Sequence, residues 1–302
     1  MSTPAELSAF PLSERPVRGD LVSLVRPRLA TLGLIMVVLS YVLAGPDPGL
    51  TQLLRLVLLL AGSFLTLCGA SVLNQLMERD LDALMRRTMA RPLPAGRVQP
   101  AFALRYGLAL SSLGFALLWL GVNPLTALLA LMGELSYLLV YTPLKPHTSL
   151  STVVGAWPGA VPVLMGWAGA TGGLDLAAWV LFAILFLWQL PHFLAIAWMY
   201  RSDYERAGLQ MLGSVDPDGD ILARQVVVYG LALIPVSLLP TIIGLTGPVY
   251  FVGAVVLGIG YLVAGLHLAS DRSGEAGRVL LKASVYYLPA LFALMVVDKT
   301  LL

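Results

Sequence analysis

The chain has 302 residues, of which 58% are hydrophobic and 12% are charged, with a mean hydropathy of +0.84 and a formal net charge of +2. These values exclude an ordinary water-soluble domain of this size and indicate a polytopic membrane protein. The single cysteine, Cys68, excludes an intramolecular disulfide and, since it lies in an apolar segment, suits packing between helices.

The first 20 residues are polar and contain proline, so we predict a flexible cytoplasmic tail, followed by one membrane domain at 21–302. Arg26 and Arg28 precede the first apolar segment, and this order of charge and apolar residues also resembles a secretory signal peptide. We predict an uncleaved span, because the apolar segment is long and begins nearly thirty residues into the chain.

Eight further apolar segments follow, each close to the ~17–25 residues that a helix needs to cross a bilayer. We therefore predict an all-α fold of nine transmembrane helices at 29–44, 56–73, 102–121, 125–140, 151–170, 176–199, 226–245, 249–269 and 279–297. Short, nearly uncharged loops alternate with longer, charged loops, as expected for connections on opposite sides of a membrane.

The distribution of basic residues predicts the orientation. Of the 19 Lys and Arg residues, 17 fall on the side of the N-terminal tail, and only Arg55 and Lys299 fall on the other side. Because basic residues stay in the cytoplasm, we predict a cytoplasmic N-terminus in the bacterial inner membrane, with every charged loop on the cytoplasmic face.

The strongest signal for chemistry lies in residues 74–97, which directly follow the second apolar segment and hold three acids and five arginines. If the helix continues, Asn74, Glu78 and Asp82 recur at every fourth residue and share one face. Mg²⁺ prefers oxygen ligands and is usually held by one or two carboxylates together with substrate phosphates. The spacing therefore predicts a metal-binding, catalytic face.

Arginines follow that face along the chain. A guanidinium group binds phosphate oxygens bidentately, so we predict that Arg86 and Arg91 bind a phosphorylated substrate. A solvated basic loop at the end of a span would also contain arginines. That alternative does not account for the carboxylate spacing.

His192 lies within the sixth apolar segment, close to Gln189 and Pro191. An ionisable residue at membrane depth is by default a functional hypothesis. A histidine in a helix bundle also commonly bonds to a neighbouring helix. We predict that His192 contributes to a substrate site, either as a ligand or as a base.

A second acidic loop follows the sixth segment. Tyr200, Asp203 and Tyr204 share one face if the helix persists into the loop. Asp203 alone could be a solvated cap, but beside the first acidic face it is a candidate metal ligand. Tyr200 and Arg201 are candidate substrate contacts.

The end of the fourth segment adds Tyr141 and Lys145 on the same predicted membrane face. Lys145 could bind a diphosphate or a lipid headgroup, and Tyr141 could line a cavity or belong to the aromatic belt. Glu134, in the middle of that segment, requires a partner or a proton, and the sequence does not identify the partner.

Five motifs extend this pattern: N-x-x-x-E-R-D-x-D-A-x-M-x-R-T at 74–88, R-P-x-P-A-G at 91–96, Y-T-P-L-K at 141–145, P-H-F at 191–193 and D-Y-x-R-A-G at 203–208. Together they resemble the UbiA superfamily of intramembrane prenyltransferases, and within it the members that farnesylate haem B. The motifs cover about residues 24–212.

The resemblance implies nine helices around a central cavity, arranged as two four-helix bundles and a ninth helix, with Mg²⁺ and a prenyl diphosphate between the two acidic loops. It also implies farnesyl diphosphate and haem B as substrates, and a haem A synthase or terminal-oxidase assembly proteins as partners. Nucleic acid is not expected.

Two departures from the family pattern affect the second loop. That loop offers only Asp203 and Glu205, where many members have several aspartates, and residues 210–213 read Gln-Met-Leu-Gly in place of Pro-Met-Leu-Pro. The second metal position is therefore the less well defined of the two.

Three other functions remain open at this point. Transfer of a prenyl group to an aromatic acid, as in quinone biosynthesis, would need a basic residue for the acceptor carboxylate, and this chain offers several. A transporter would place its polar residues near the midplane, whereas these acids cluster at one face. A structural subunit would have no need for the register of Asn74, Glu78 and Asp82.

Overall fold

The computed structural model describes residues 18–47 and 49–301, and within these ranges the secondary structure is entirely helical. Nine helices in the described ranges are long and apolar enough to cross a membrane, which confirms the predicted number. We call them spans 1 to 9: Pro27–Ala44, Leu50–Met77, Pro100–Gly121, Pro124–Leu144, Ser151–Thr171, Leu176–Met199, Asp220–Ile242, Pro248–Asp271 and Gly274–Thr300.

Several helix ends differ from the hydropathy prediction, mostly because the helices extend beyond the apolar segments. Span 2 was predicted at 56–73 but runs over Leu50–Met77, and span 7 was predicted at 226–245 but runs over Asp220–Ile242. Hydropathy detects only the part of a helix that lies in hydrocarbon. The helices continue into polar residues at the membrane boundary, and one of those extensions contains Asn74.

Most of the predicted tail, residues 1–17, lies outside the described residues. A short helix, Arg18–Val25, precedes span 1, so the predicted boundary at residue 20 falls within a helix, and the division into tail and membrane domain stays a prediction. The Asp20 carboxylate accepts a hydrogen bond from Arg97 Nε at 2.9 Å. This ion pair attaches the short helix to the loop after span 2.

The spans pack in two groups. Spans 6, 7, 8 and 9 are successive neighbours, and span 9 returns to span 6. Spans 1 to 5 are also successive neighbours, and span 5 returns to span 1. Span 5 packs on span 6, and span 9 packs on span 1, so the two groups form one continuous bundle.

Three short helices and one irregular segment lie at the span ends that matter for function. The helix Arg79–Asp82 follows span 2, and the helices Arg201–Arg206 and Leu212–Val215 follow span 6. Span 4 consists of the α-helix Pro124–Leu135, a π-helix at Ser136–Tyr141 and a last turn at Thr142–Leu144.

Spans 2 and 3 approach each other through glycines. A Cβ atom at Gly114 would lie 2.7 Å from the carbonyl oxygen of Gly62 and 2.8 Å from the backbone nitrogen of Thr66. Small residues at such crossings allow the close backbone approach on which helix packing in membranes depends. The position of the carboxylate-bearing end of span 2 therefore depends on this contact.

We expect Gly114→Ala to lower the free energy of unfolding by about 1–3 kcal/mol, because two backbones would have to separate. The matched control is Gly260→Ala on span 8, where an added Cβ meets no heavy atom within 4 Å. Thermal unfolding of both variants in detergent measures the difference. Equal melting temperatures for the two variants would contradict the close-packing account.

Candidate active site

Asn74, fully buried near the end of span 2, has one side-chain atom fixed and one free. Its Nδ2 donates to Thr142 Oγ1 at 3.0 Å, and that hydroxyl donates to the carbonyl oxygen of Tyr137 at 2.8 Å. Asn74 Oδ1 is buried and has no hydrogen-bond partner among the described residues. A buried oxygen without a donor is the kind of atom that a bound cation satisfies.

The predicted continuous helix through Asn74, Glu78 and Asp82 is interrupted. Glu78, with φ −92° and ψ 4°, ends span 2, and the helix Arg79–Asp82 starts after it. Backbone hydrogen bonds from Glu78 to Asn74 (2.9 Å) and from Asp82 to Glu78 (2.7 Å) preserve the spacing. The three side chains therefore still share a buried face, whereas Asp80 between them is exposed.

Each carboxylate of this face contacts a cation that the sequence assigned to phosphate binding. Lys145 Nζ lies 2.5 Å from Glu78 Oε1, and Arg91 Nη1 lies 2.6 Å from Asp82 Oδ2. Burial lowers the pKa of Lys145, but Tyr141 and the Glu78 carboxylate raise it by more, so the net pKa lies above its ordinary value. Lys145 is therefore charged at neutral pH.

Asp203 joins the second acidic loop to the first. Its carboxylate accepts hydrogen bonds from the backbone N–H groups of Arg86 (3.4 Å) and Arg87 (3.3 Å) and from Arg206 Nη1 (2.8 Å). Burial raises the pKa of Asp203, but these hydrogen bonds lower it by more, and the net pKa lies below its ordinary value. Asp203 is therefore ionised at neutral pH, and the two loops are in direct contact.

Arg87 is a site residue that the sequence analysis missed. Its guanidinium lies 4.8 Å from the ring centroid of Tyr200 and 6.0 Å from that of Tyr204, and it donates to the Tyr204 hydroxyl at 3.3 Å. The predicted residue, Arg86, contacts Asp203 only through its backbone N–H, and the side chains of both arginines are exposed. The spacing of the two tyrosines, four residues apart, was the available signal for an arginine partner.

The π-helix of span 4 forms one wall of the site. Tyr137 and Tyr141 stack with ring centroids 5.5 Å apart, and Lys145 Nζ lies 4.4 Å from the Tyr141 centroid. π-helical turns often occur at functional sites. Here the segment ends at Tyr141 and is followed by Thr142, whose hydroxyl accepts from Asn74, and by Lys145, which pairs with Glu78.

Two predicted substrate residues lie apart from the carboxylates. Arg201 Cζ is 4.4 Å from the Trp198 ring centroid, and its Nη1 donates to the Trp198 carbonyl oxygen at 3.1 Å. His192 Nδ1 lies 2.7 Å from Ser284 Oγ on span 9, and its ring stacks on Trp188 at 5.2 Å. His192 therefore joins span 6 to span 9, within the group of spans 6 to 9.

The four predicted metal ligands, Asn74, Glu78, Asp82 and Asp203, lie in one continuous region but do not converge on one point. In the part of the chain that the structure describes, no three His, Cys, Asp or Glu side chains are arranged to hold a metal ion. Instead, Lys145, Arg91 and Arg206 neutralise the three carboxylates. Metal binding by this set stays a prediction.

The fold and the site together define a multi-pass membrane protein with buried carboxylates and cations at the ends of spans 2, 4 and 6. Residues 33–288 match the model of the UbiA prenyltransferase family. The chain belongs to this family, which confirms the resemblance seen in the sequence.

Curated relatives support the assignment over most of the chain. The protoheme IX farnesyltransferase of Solibacter usitatus is 48% identical over 287 residues, covering 93% of this chain and 98% of the relative. The protein of the same name from Salinibacter ruber is 42% identical over 282 residues, covering 92% and 98%.

Solved structures confirm the fold. A digeranylgeranylglyceryl phosphate synthase matches with a TM-score of 0.77 at 17% identity, covering 94% of this chain and 99% of the other. A UbiA homologue from Archaeoglobus fulgidus, bound to DMAPP and Mg²⁺, matches with a TM-score of 0.70 at 15% identity, covering 94% and 100%.

We expect Lys145→Met to destabilise the protein by about 3–5 kcal/mol, because the change leaves the Glu78 carboxylate buried without its partner. Adding Glu78→Gln should restore most of the loss. The matched control is Arg206→Met, which removes the cation of a more exposed pair with Asp203. Denaturant unfolding measures these three variants and Glu78→Gln alone, and additive effects of the Lys145 and Glu78 changes would contradict a coupled pair.

Proposed function

We propose that this chain transfers the farnesyl group of farnesyl diphosphate to a vinyl group of haem B, as a protohaem IX farnesyltransferase. The structural observation that carries the proposal is the pairing of Glu78 and Asp82 with Lys145 and Arg91 at the boundary of an apolar bundle. This set of charges can accept a metal ion and a diphosphate together. The two relatives named above support farnesyl as the donor group and protohaem as the acceptor.

Mg²⁺ is the metal that the donor set fits, because all the candidate atoms are hard oxygens. Asn74, Glu78, Asp82 and Asp203 would hold it, and Asn74 Oδ1 is already without a protein partner. When bound, the metal supplies neutralisation of the charge that develops on the departing diphosphate.

The cations change partners in this proposal. Lys145 and Arg91, which now pair with Glu78 and Asp82, would bind phosphate oxygens instead, with Arg86 at the edge of the site, and the two carboxylates would be free to hold the metal. Arg201, Tyr141 and Tyr200, at the ends of spans 4 and 6, are further candidate substrate contacts, because their side chains can donate hydrogen bonds. In this exchange Glu78, Asp82, Lys145 and Arg91 would each have a partner of opposite charge before and after binding.

The reaction needs charge stabilisation and the exclusion of bulk water. The C1–O bond of farnesyl diphosphate breaks and its electron pair leaves with the diphosphate. C1 bonds to the terminal vinyl carbon, and the neighbouring carbon becomes positive. One water molecule adds there and releases a proton, which gives a hydroxyethylfarnesyl side chain. The basic side chains stabilise the leaving group, and the apolar spans limit the access of other water.

His192 is suited to the acceptor side of this reaction. The hydroxyl of Ser284 donates to the carbonyl oxygen of Leu281 at 2.6 Å, so Ser284 Oγ has to accept from His192 Nδ1–H. The Nε2 atom of His192 then carries the lone pair. A ring nitrogen held in this way can take up the released proton or bind haem iron.

The distribution of charge supports a place in the bacterial inner membrane with a cytoplasmic N-terminus. The acidic loops and their cations would then face the cytoplasm, from which a diphosphate can enter. Farnesyl chains and haem B would reach the site from the bilayer. A haem A synthase or oxidase assembly proteins would receive the product.

The assay for this function uses purified protein, farnesyl diphosphate, Mg²⁺ and haem B, with mass analysis of the extracted haem. We expect a product that carries one farnesyl group and one added water. Asp82→Asn and Glu78→Gln should each abolish it, since both carboxylates belong to the buried face. The control is Asp80→Asn, on the same short helix but exposed.

The proposal would be contradicted if the parent protein left haem B unmodified but prenylated an aromatic acid supplied in its place. Full activity of both Asp82→Asn and Glu78→Gln would instead remove these carboxylates from the mechanism. Circular dichroism and membrane insertion show whether each variant still folds.

We expect His192→Ala to lower turnover at least ten-fold with farnesyl diphosphate saturating, and to alter the haem absorption spectrum if Nε2 binds iron. Ser284→Ala should have a smaller effect in the same direction, because it only releases the ring. The matched control is His267→Ala, an exposed histidine on span 8. Unchanged turnover and haem affinity in the His192 variant would leave this residue a packing role.

A further inference from the structure

The amide side chain of Gln189 lies at membrane depth in span 6 and uses only one of its two polar atoms. It is buried, and its Nε2 donates to the carbonyl oxygen of Ala156 on span 5 at 2.6 Å. Within residues 18–47 and 49–301, no hydrogen bond reaches its Oε1 atom. A polar atom at this depth is costly without a partner, so Oε1 is suited to accept a hydrogen bond from a ligand.

The backbone at Gly159 leaves space beside this oxygen. Gly159 alone among residues 151–170 is exposed, although span 5 packs against spans 1, 2, 4 and 6. A Cβ atom at Gly159 would overlap Gln189 Oε1. The glycine therefore lets the amide oxygen lie against the backbone of span 5, at the edge of an opening between spans 5 and 6.

Span 5 adds a second acceptor at the same depth. Pro162 has no N–H group, so the carbonyl oxygen of Pro158 lacks the helical partner that it would normally have four residues on. Pro158 directly precedes Gly159 and is partly buried. Each of the two spans therefore contributes an oxygen with unused capacity to accept a hydrogen bond.

The opening lies beside the candidate active site. One helical turn before Gly159, a Cβ atom at Gly155 would lie 2.5 Å from Cε2 of Tyr141, which belongs to the π-helical wall of that site. One turn is about 6 Å along the helix, so the opening lies that much deeper in the membrane than this wall. On span 6, His192 follows Gln189 by three residues, and residues at this spacing are neighbours on a helix surface.

Aromatic side chains make the surroundings of Gln189 apolar. Phe186 precedes Gln189 by three residues and stacks on Phe182 with ring centroids 6.0 Å apart. Phe182 packs edge-on against Trp157 of span 5, with centroids 5.0 Å apart. Apolar surroundings of this kind limit the number of water molecules that reach the opening.

An opening that offers acceptor oxygens selects a ligand that donates hydrogen bonds. The farnesyl chain has no donor, and the ionised propionates of haem B and the diphosphate accept hydrogen bonds but do not donate them. The donor among the reactants of the proposed reaction is the water molecule that adds after the carbon–carbon bond forms.

We propose that Gln189 Oε1 and the Pro158 carbonyl oxygen bind the water molecule that adds to the farnesylated vinyl group. This assignment rests on the proposed function, since that reaction consumes the water. The water oxygen bonds to the positive carbon through a lone pair, and one O–H bond breaks as its proton passes to Nε2 of His192. Without bound water, the same cation loses a proton from the adjacent CH₂ group and forms a C=C bond. Gln189 thus determines which product forms.

The test is mass analysis of the haem extracted after turnover of the full-length protein with farnesyl diphosphate, Mg²⁺ and haem B. We expect Gln189→Leu to lower the ratio of hydrated to dehydrated farnesylated haem about ten-fold, because the water loses a buried hydrogen bond. The matched control is Gln52→Leu, which removes an amide that accepts from the Tyr41 hydroxyl at the other end of span 2. Its ratio should stay within about two-fold of the parent.

Gly159→Ala tests the same position without changing Gln189. Its methyl group would fill the space beside Oε1, so this variant should also yield more dehydrated product. Gly133→Ala, the matched control, adds a methyl group against Val161 in the contact between spans 4 and 5 and should leave the ratio unchanged. Melting temperatures in detergent show which variants fold, and Gly159→Ala decides if Gln189→Leu does not.

An unchanged product ratio in the folded Gln189 and Gly159 variants would overturn the proposal and leave Gln189 a packing role. Loss of both farnesylated products from a variant that melts as the parent does would also overturn it, because a water site should affect hydration and spare the carbon–carbon bond. If the parent itself forms no farnesylated haem, the proposed function fails, and that result differs from an unchanged ratio.

Discussion

A carboxylate that is buried near the hydrocarbon boundary has to meet a positive charge, because the cost of an unpaired buried ion is several kcal/mol. Glu78, Asp82 and Asp203 all satisfy this requirement. Glu78 pairs with Lys145 from the end of span 4, and Asp82 pairs with Arg91 from its own loop. Asp203 accepts from the Arg86 and Arg87 backbone of the first loop and from Arg206 on its own helix. These contacts bring the ends of spans 2, 4 and 6 together. The geometry of the site follows from charge neutralisation.

The need to neutralise buried charge also explains how the site can be stable without ligands and still bind a metal and a diphosphate. Glu78 and Asp82 hold the cations that would bind a diphosphate, and those cations hold the oxygens that would bind a metal. A metal alone would displace Lys145 or Arg91 into solvent or against another cation, and a diphosphate alone would leave the carboxylates unpaired. Binding of the two together exchanges all partners at once, so the affinities should be strongly coupled.

Much of this could be predicted from the sequence. Hydropathy located nine spans, and the recurrence of polar residues at every fourth position located Asn74, Glu78 and Asp82. Both signals are local in the sequence. The break of the helix at Glu78, the bridging role of Arg87 and the opening beside Gly159 depend on tertiary contacts, which spacing does not encode. The partner of Glu134 is a further case: it is Ser111 on span 3, at 2.5 Å.

The most direct measurement of the partner exchange is a set of four calorimetric titrations of the parent protein: Mg²⁺ alone, inorganic diphosphate alone, and each in the presence of the other. We expect either ligand alone to bind weakly. Each should bind at least about ten-fold more tightly when the other is present, and the gain in affinity should be the same for Mg²⁺ as for diphosphate. Tight binding of Mg²⁺ alone, with an affinity that diphosphate does not change, would contradict it.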